Sequence, residues 1–568
     1  IKTMMKKDFF AQTVHRAIDK AIQNKKLGSL EENNFKPVCE IPKNTQFGDF
    51  AINVSSLARE AKMAPALIAQ NIAQYIECDG FSVNTVAGFI NFKLEKEMLC
   101  SIAAEILDKK ENFASTNIGN GEKVNLEYVS ANPTGPFHIG HGRWAALGSA
   151  LANIMNYCGY NVYQEFYIND AGNQINKLAR SLELRVKEQK GEKVEWEDDL
   201  YPGEYLIDCA KRYIESGEKE NFGDFAKTDM LRLQKELLEK FRVHFDCFFS
   251  ELSLYKDNEV EKCVKELENK GKLYEKDGAV WFKSSDYTDS QDRVLKKADG
   301  SNTYLTADIA YHKNKLDRGF KRLINIWGAD HHGYIARIKA SIDALGYDSS
   351  CLEVLLGQLV NIIQNGEQMR MGKRKKMVTL DELVDEVGVD ATRFWMLMRS
   401  IDTTIDFDID LAKSKSDKNP VFYVQYAHAR ACSILRKAVE KRCDIESKKE
   451  LPPLFTLDEI EALDYNPDIS DLFDDSCDKD SIEATRALVL KLEESKGIIE
   501  AAARLRAPYL LCKYSQELAN AFHHFYNYSR VLTDDKRISA KRLALTKCFK
   551  IILGKTLDLL GVEAPEKM

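Results

Sequence analysis

No apolar run in these 568 residues approaches the ~20 consecutive residues that a membrane-spanning helix needs. The lysines near the start are followed by no apolar stretch, so a secretory leader is not expected either. The 13 cysteines contain no C-x-x-C pair. An odd, scattered set points to reduced thiols in a cytoplasmic protein rather than to a zinc ribbon or a disulfide framework. No fixed-period repeat runs through the chain, which excludes a solenoid or a propeller. Wholesale disorder is excluded by 44% hydrophobic and 30% charged residues, a globular composition. At ~150 residues per domain, the length also excludes a single small binding module.

The net charge of −7 is unevenly spread. Residues 444–483 hold 14 acidic residues against 3 basic ones. The remaining chain is therefore slightly basic. A nucleic-acid partner is compatible with that balance, because affinity follows local basic surface; non-specific coating of DNA is not expected.

Periodicity divides the chain. Phe9–Asn24 has helical spacing, Phe35–Ile41 is strand-like, and Ala51–Ala61 and Ala66–Ile76 read as helices. Phe81–Leu94 alternates and suits paired strands. A boundary is expected near Asn117–Gly121. Beyond it, a strand at Val124–Val129, a loop at Ser130–Pro136, a helix at Ile139–Cys158 and a strand at Asn161–Tyr167 open a parallel α/β sheet. Residues 178–300 are charged and mostly helical, with a strand-like Ala279–Phe282, and read as an insertion. Leu323–Trp327 returns to strand character. Leu380–Ser400 and nearly everything beyond Pro420 are helical.

The sharpest chemistry lies in Ser130-Ala-Asn-Pro-Thr-Gly-Pro-Phe-His-Ile-Gly-His141. Two imidazoles three residues apart share one face at a helix start, where free N–H groups and the helix dipole favour phosphate. Gly140 would let a flat base approach the backbone. Alone, H-x-G-H is equally a cap or a packing motif, and a metal site would lack a third ligand at standard spacing. Its strand–loop–helix setting favours the nucleotide reading. About 230 residues later comes Arg370-Met-Gly-Lys-Arg-Lys-Lys376, positive charge of the kind needed over the phosphates of ATP.

The first block resembles the HIGH signature of class I aminoacyl-tRNA synthetases. That resemblance implies catalytic roles for His138 and His141 and an ATP contact at Gly140. The basic run resembles the family's lysine loop, so Lys373 would be catalytic and Arg370, Met371 and Lys373 would hold ATP. It departs from the usual pattern at Arg370 and Gly372. A cationic amino acid would require carboxylates in the pocket, since an unpaired buried charge is prohibitive. Glu127, Asn132, Tyr304 and Asp308 together resemble the arginine-binding residues of the arginyl-tRNA synthetase family, with Asn132 at the α-amino or carboxylate end and the others nearer the guanidinium. Trp327-Gly-Ala-Asp-His-His-Gly333 resembles bacterial members and implies Asp330, His331 and His332 near ATP or arginine.

The resemblance extends over nearly the whole chain. Gln46-Phe-Gly-Asp-Phe-Ala51 and Gly88–Phe92 resemble the family's tRNA-elbow domain, with Phe47 an expected RNA contact. Tyr423, Tyr426 and Arg430 resemble an RNA-stacking face of its helical anticodon domain, and Met568 closes that domain. The implied fold is a Rossmann-like parallel sheet with helical insertions, an N-terminal α+β domain (1–116), a catalytic domain (117–405) and an all-α domain (406–568). The implied activity is ATP-dependent ligation of arginine to tRNA through an arginyl-adenylate, with activation dependent on tRNA. ATP, Mg²⁺ with it, arginine and tRNA are the expected partners of a cytoplasmic monomer, with no zinc. Two rivals stand beside this reading: another class I synthetase or a small HxGH-type nucleotidyltransferase, and a non-catalytic tRNA-binding relative.

Overall fold

This computed structural model describes residues 6–42, 45–369, 379–443, 450–464, 468–474 and 477–568. The chain opens with the helix Lys6–Gln23, packed on a four-stranded antiparallel sheet of order Cys39–Glu40, Phe50–Asn53, Phe89–Leu94, Phe81–Val86. Phe10 of the helix stacks on Phe92 of the sheet with ring centres 4.3 Å apart. The helix expected at Ala51–Ala61 is a correction. Phe50–Asn53 is a largely buried strand paired on both sides, and helical turns begin only at Ser55–Leu57 (3-10) and Ala58–Ala61 (α). A sheet interior buries both faces, so the residues lose their alternation and mimic a helical run. Likewise only Cys39–Glu40 of the expected strand Phe35–Ile41 pairs.

The centre is a five-stranded parallel sheet. Its parts in chain order are β1 (Lys123–Glu127), helix α1 (Ile139–Tyr157), β2 (Asn161–Ile168), β3 (Cys247–Ser250), helix α2 (Tyr304–Asp317), β4 (Arg322–Gly328) and β5 (Leu352–Gly357). The spatial order is β5-β4-β1-β2-β3. The chain leaves β1 in one direction to β2 and returns on its other side to β4. A crevice therefore opens at the carboxyl ends of β1 and β4, the place where such sheets bind ligands. Glu127 and Asn325 are register partners there.

β3 lies inside the stretch 178–300 that the sequence suggested was wholly inserted. The insertion is therefore two pieces, helices between β2 and β3 (Asn173–Gln189, Tyr205–Glu215, Phe222–Lys240) and, between β3 and α2, two helices (Glu251–Lys256, Glu259–Asn269) followed by a small antiparallel sheet. A four-residue edge strand carries too short a pattern to be seen by periodicity. The helical segment at Leu380–Ser400 is two helices, split by Gly388 at φ 87°.

The C-terminal part is a bundle that includes α3 (Pro420–Val439), α4 (Tyr509–Tyr528) and α5 (Lys536–Leu560). Arg393 is fully buried where this bundle meets the sheet. It donates to the carbonyls of Leu560 and Phe241 and to Ser149 Oγ, at 2.7–3.1 Å. One guanidinium thus closes the bundle, an insertion helix and α1 around a shared core.

Candidate functional site

His138 is the N-cap of α1, with extended backbone. Its N–H donates to His141 Nδ1 at 3.2 Å, and the His141 N–H donates back to the His138 carbonyl at 3.0 Å. The two rings stack with centres 3.6 Å apart. Gly140 is required by this stack, because a Cβ there would lie 2.9 Å from His138 Cε1. Since His141 Nδ1 accepts, its proton sits on Nε2, which is left to donate elsewhere. Burial pulls His138 below the usual histidine range, and burial together with the neighbouring His138 takes His141 to about 3. Both rings are neutral at pH 7. They are hydrogen-bond donors at a helix N-terminus, not fixed positive charges.

Arg370, Met371 and Lys373 lie outside the described residues. The chain that flanks them is fastened to the histidine block. The Leu380 N–H donates to the Phe137 carbonyl at 2.9 Å, and Thr379 pairs with His138 in an isolated β-bridge. Thr379 also opens the helix Leu380–Val387 through a reciprocal cap with Glu382.

Sequence reasoning missed Arg143. Its buried guanidinium donates to the carbonyls of Gln358 (2.7 Å), Ser400 (2.9 Å) and Thr403 (2.7 Å). It holds two chain segments against α1: the one leaving β5, and the one before the strand Ile405–Asp408. Burial draws its pKa down to about 10, so it stays cationic.

The acidic side of the crevice contains two kinds of carboxylate. Glu127 Oε2 accepts from Lys315 Nζ at 2.6 Å, and Oε1 accepts from Ser130 Oγ at 3.0 Å. Lys315 is wholly buried and was not foreseen. Glu127 was expected near a ligand guanidinium; here its charge is already matched within the chain. Asp308 on α2 is different. It accepts from the Tyr334 hydroxyl at 2.6 Å, and burial pushes its carboxyl up to about 7, with Glu127 and Glu251 adding repulsion. Glu251, just after β3, is also raised to about 7, by burial and then by Asp170. Neither Asp308 nor Glu251 forms an ion pair among the described residues. The Tyr167 hydroxyl is buried beside Glu251, and their interaction draws the Glu251 carboxyl part of the way back down. Such a set is poised for a cation with several N–H donors. Glu251 was missed because it lies inside the presumed insertion, with no motif to mark it.

Other expected residues fall as follows. Asn132 is half-buried on the loop after β1, and its carbonyl accepts from Gln234 at 3.1 Å. Tyr304 is 62% exposed in the first turn of α2, one turn from Asp308. Asp330, His331 and His332 lie exposed in the tight turn Ala329–Tyr334 at the carboxyl end of β4. Tyr334, rather than a histidine of that turn, reaches Asp308. His312 on α2 is buried, with its ring bonded to the Asp308 carbonyl and to Asn325 at 2.8 and 2.9 Å.

In the bundle, Phe422, Tyr423, Tyr426 and His523 line a groove of about 390 Å³. Tyr426 stacks at 6.1 Å on Phe422 and at 6.3 Å on His523, with interplanar angles of 17° and 25°. Arg430 instead turns to α4, where it donates to the Tyr526 hydroxyl at 2.9 Å. Phe47 and Met568 are 45% and 58% exposed. Asp49, in the same motif as Phe47, is structural: it receives Arg486 Nε at 2.8 Å and the Leu94 N–H at 2.7 Å.

Three protein-family models match the chain. Residues 11–94 match the arginyl tRNA synthetase N terminal domain, 102–399 the catalytic domain of class I (R) tRNA synthetases, and 424–568 the DALR anticodon binding domain. The arginine–tRNA ligase of Bacillus subtilis is 43% identical over 585 residues, covering 99% of each chain. Arginine–tRNA ligase 1 of Halalkalibacterium halodurans is 43% identical over 549 residues, 94% of each. Among solved structures, Thermus thermophilus arginyl-tRNA synthetase superposes with a TM-score of 0.72 over 99% of this chain and 100% of its own, at 22% identity, which speaks to the fold.

Proposed function

The chain belongs to the class I arginyl-tRNA synthetases, and from that premise we propose that it ligates arginine to the 3′ end of its tRNA in two steps at this crevice. The arginine carboxylate attacks the α-phosphorus of ATP; the bond to the β-phosphate breaks and pyrophosphate leaves. The 2′-hydroxyl of the terminal tRNA adenosine then attacks the activated carbonyl, and AMP leaves. No covalent enzyme intermediate is needed, so the work is positioning and electrostatic stabilisation.

The observation that carries this reading is the pairing of two neutral, stacked histidines at the start of α1 with the cation-seeking carboxylates Asp308 and Glu251 in one crevice. In our reading His138 and His141 donate to the triphosphate, and Gly140 permits their stack. Arg370 and Lys373 supply positive charge to the phosphates, with Met371 between them in the sequence. Asp308 and Glu251 receive the guanidinium, flanked by Tyr304 and Tyr334. Glu127 and Asn132 serve the amino-acid head group. His331 and His332, with Asp330, border the mouth. Mg²⁺ would arrive with ATP, whose phosphates it neutralises. The tyrosines Tyr423 and Tyr426 would stack single-stranded bases, beside Arg430, which Tyr526 holds in place. Phe47 and Met568 would meet tRNA at its elbow and anticodon arm. Activation is expected to need tRNA, as an induced-fit device.

The test is ATP–pyrophosphate exchange, with and without arginine tRNA, against lysine and cysteine. Exchange that requires both arginine and tRNA supports the whole reading. Exchange with arginine alone removes the tRNA requirement. No exchange with arginine in either case overturns it in favour of plain tRNA binding or another amino acid.

A further inference from the structure

Lys315 takes no part in the reaction described above, yet it sits beneath it. Its Nζ donates to Glu127 Oε2 at 2.6 Å and to Asn325 Oδ1 at 3.1 Å, and it lies 4.4 Å from the Tyr311 ring centre. All three directions of a buried ammonium are thereby occupied. Glu127 is fixed from two elements at once, by Lys315 of α2 and by Ser130 of the loop after β1. Ser130 Oγ in turn accepts the Tyr167 N–H at 3.1 Å. Glu127 and Asn325 are register partners on β1 and β4, at the crevice itself. Stability alone does not account for such a pair, because well-packed apolar residues commonly replace a buried ion pair without loss.

We infer that Lys315 is a positioning residue for substrate binding: it pins Glu127 as a fixed acceptor and so reserves Asp308 and Glu251 for the incoming guanidinium. This rests on the function proposed above. The charge balance supports it. The three carboxylates of Glu127, Asp308 and Glu251 outnumber the single Lys315 ammonium, which leaves a net negative pocket for arginine, whose guanidinium and α-ammonium outweigh its one carboxylate. Without Lys315, Glu127 would keep only its bond from Ser130, and its second oxygen would turn to either cationic group of arginine.

The experiment is arginine-dependent exchange on the full chain with tRNA present, comparing Lys315→Met, Glu127→Gln and the double variant. Lys315→Met should raise the KM for arginine at least about tenfold while leaving that for ATP within about twofold. The double variant should be no worse than Glu127→Gln alone, because Lys315 acts through Glu127. The double variant buries no charge, so it gives the answer even if Lys315→Met alone does not fold. A folded Lys315→Met with unchanged arginine KM, or losses that multiply in the double variant, would overturn the inference. Failure of the unaltered enzyme to show arginine-dependent exchange is a separate result, and it overturns the functional reading instead.

Discussion

His138 and His141 are neutral because the helix start that presents them also buries them. A neutral imidazole contributes through the direction of its N–H bond, so its loss should affect kcat more than tRNA affinity. His138→Ala and His141→Ala are each expected to lower kcat for exchange by about 10²–10³. Binding of tRNA, followed by filter retention, should stay within about twofold. Asp308 and Glu251 make a second prediction. Both hold their proton up to about pH 7, whereas the free side chains release theirs near 3.8 and 4.5. A guanidinium binds the ionised pair and displaces those protons. The KM for arginine should therefore rise as pH falls below 7, by up to about tenfold per pH unit for each proton displaced, and level off above 8. Stability runs the other way. A carboxyl protonated more tightly in the folded state favours folding below its unfolded pKa. That contribution is lost as pH climbs from about 4 to about 7. Melting temperatures measured with and without arginine should diverge as pH rises. A pH-independent arginine KM would contradict the assignment.

Among the elements, α1 does more than present the histidines. One turn on, Arg143 gathers three carbonyls from two segments, and on the other side Phe137 and His138 take hold of Leu380 and Thr379. Replacing Arg143 by Met would leave buried carbonyls without donors, at about 1–3 kcal/mol each. A loss of at least about 3 kcal/mol is expected, visible as a lower urea midpoint. Faster amide exchange should concentrate at Val360–Gln364 and Ile405–Asp408, the parallel strands next to the released carbonyls. Exchange that quickened evenly over the sheet would speak against this local role. The sequence placed α1, β1 and β2 within a residue or two, because strand–loop–helix boundaries there carry caps and clear periodicity. It did not show β3, whose four residues are too few to repeat, nor the strand Phe50–Asn53, whose burial on both faces erased its alternation.

Across the whole molecule, the N-terminal unit is fastened to the C-terminal bundle by the bidentate pairing of Arg486 with Asp49. Acidic residues of the 444–483 stretch lie against basic ones from both units. Asp464 meets Lys547, Asp471 meets Lys541 and Arg537, and Asp474 meets Lys96. Where it is described, the acidic stretch is thus countered locally, which explains why the overall charge said little about the partner. The exposed Asp474–Lys96 pair is worth little singly; the bidentate Arg486–Asp49 pair, whose carboxylate is buried and which joins the two units, is the one expected to matter. If both units meet tRNA as proposed, Arg486→Ala should raise the KM for tRNA about five- to tenfold in aminoacylation, by loosening one unit from the other, and leave that for ATP unchanged. An unchanged tRNA KM would show the two units to act independently.

The amino-acid sequence by itself determined the local features of this protein: the histidine block, the basic run after it, the parallel order opened at β1, and the helical bundle beyond Pro420. Each rests on spacing along the chain, and spacing is a property of neighbours. Which side chains share the crevice was decided only in the tertiary structure. Glu127 and Lys315 are 188 residues apart, yet they meet at 2.6 Å. Glu251 joins Asp308 because β3 adds to the edge of the sheet. Burial and charge at such meetings depend on what the fold brings together, and that is why the expected acidic residues were legible while their partners and protonation were not.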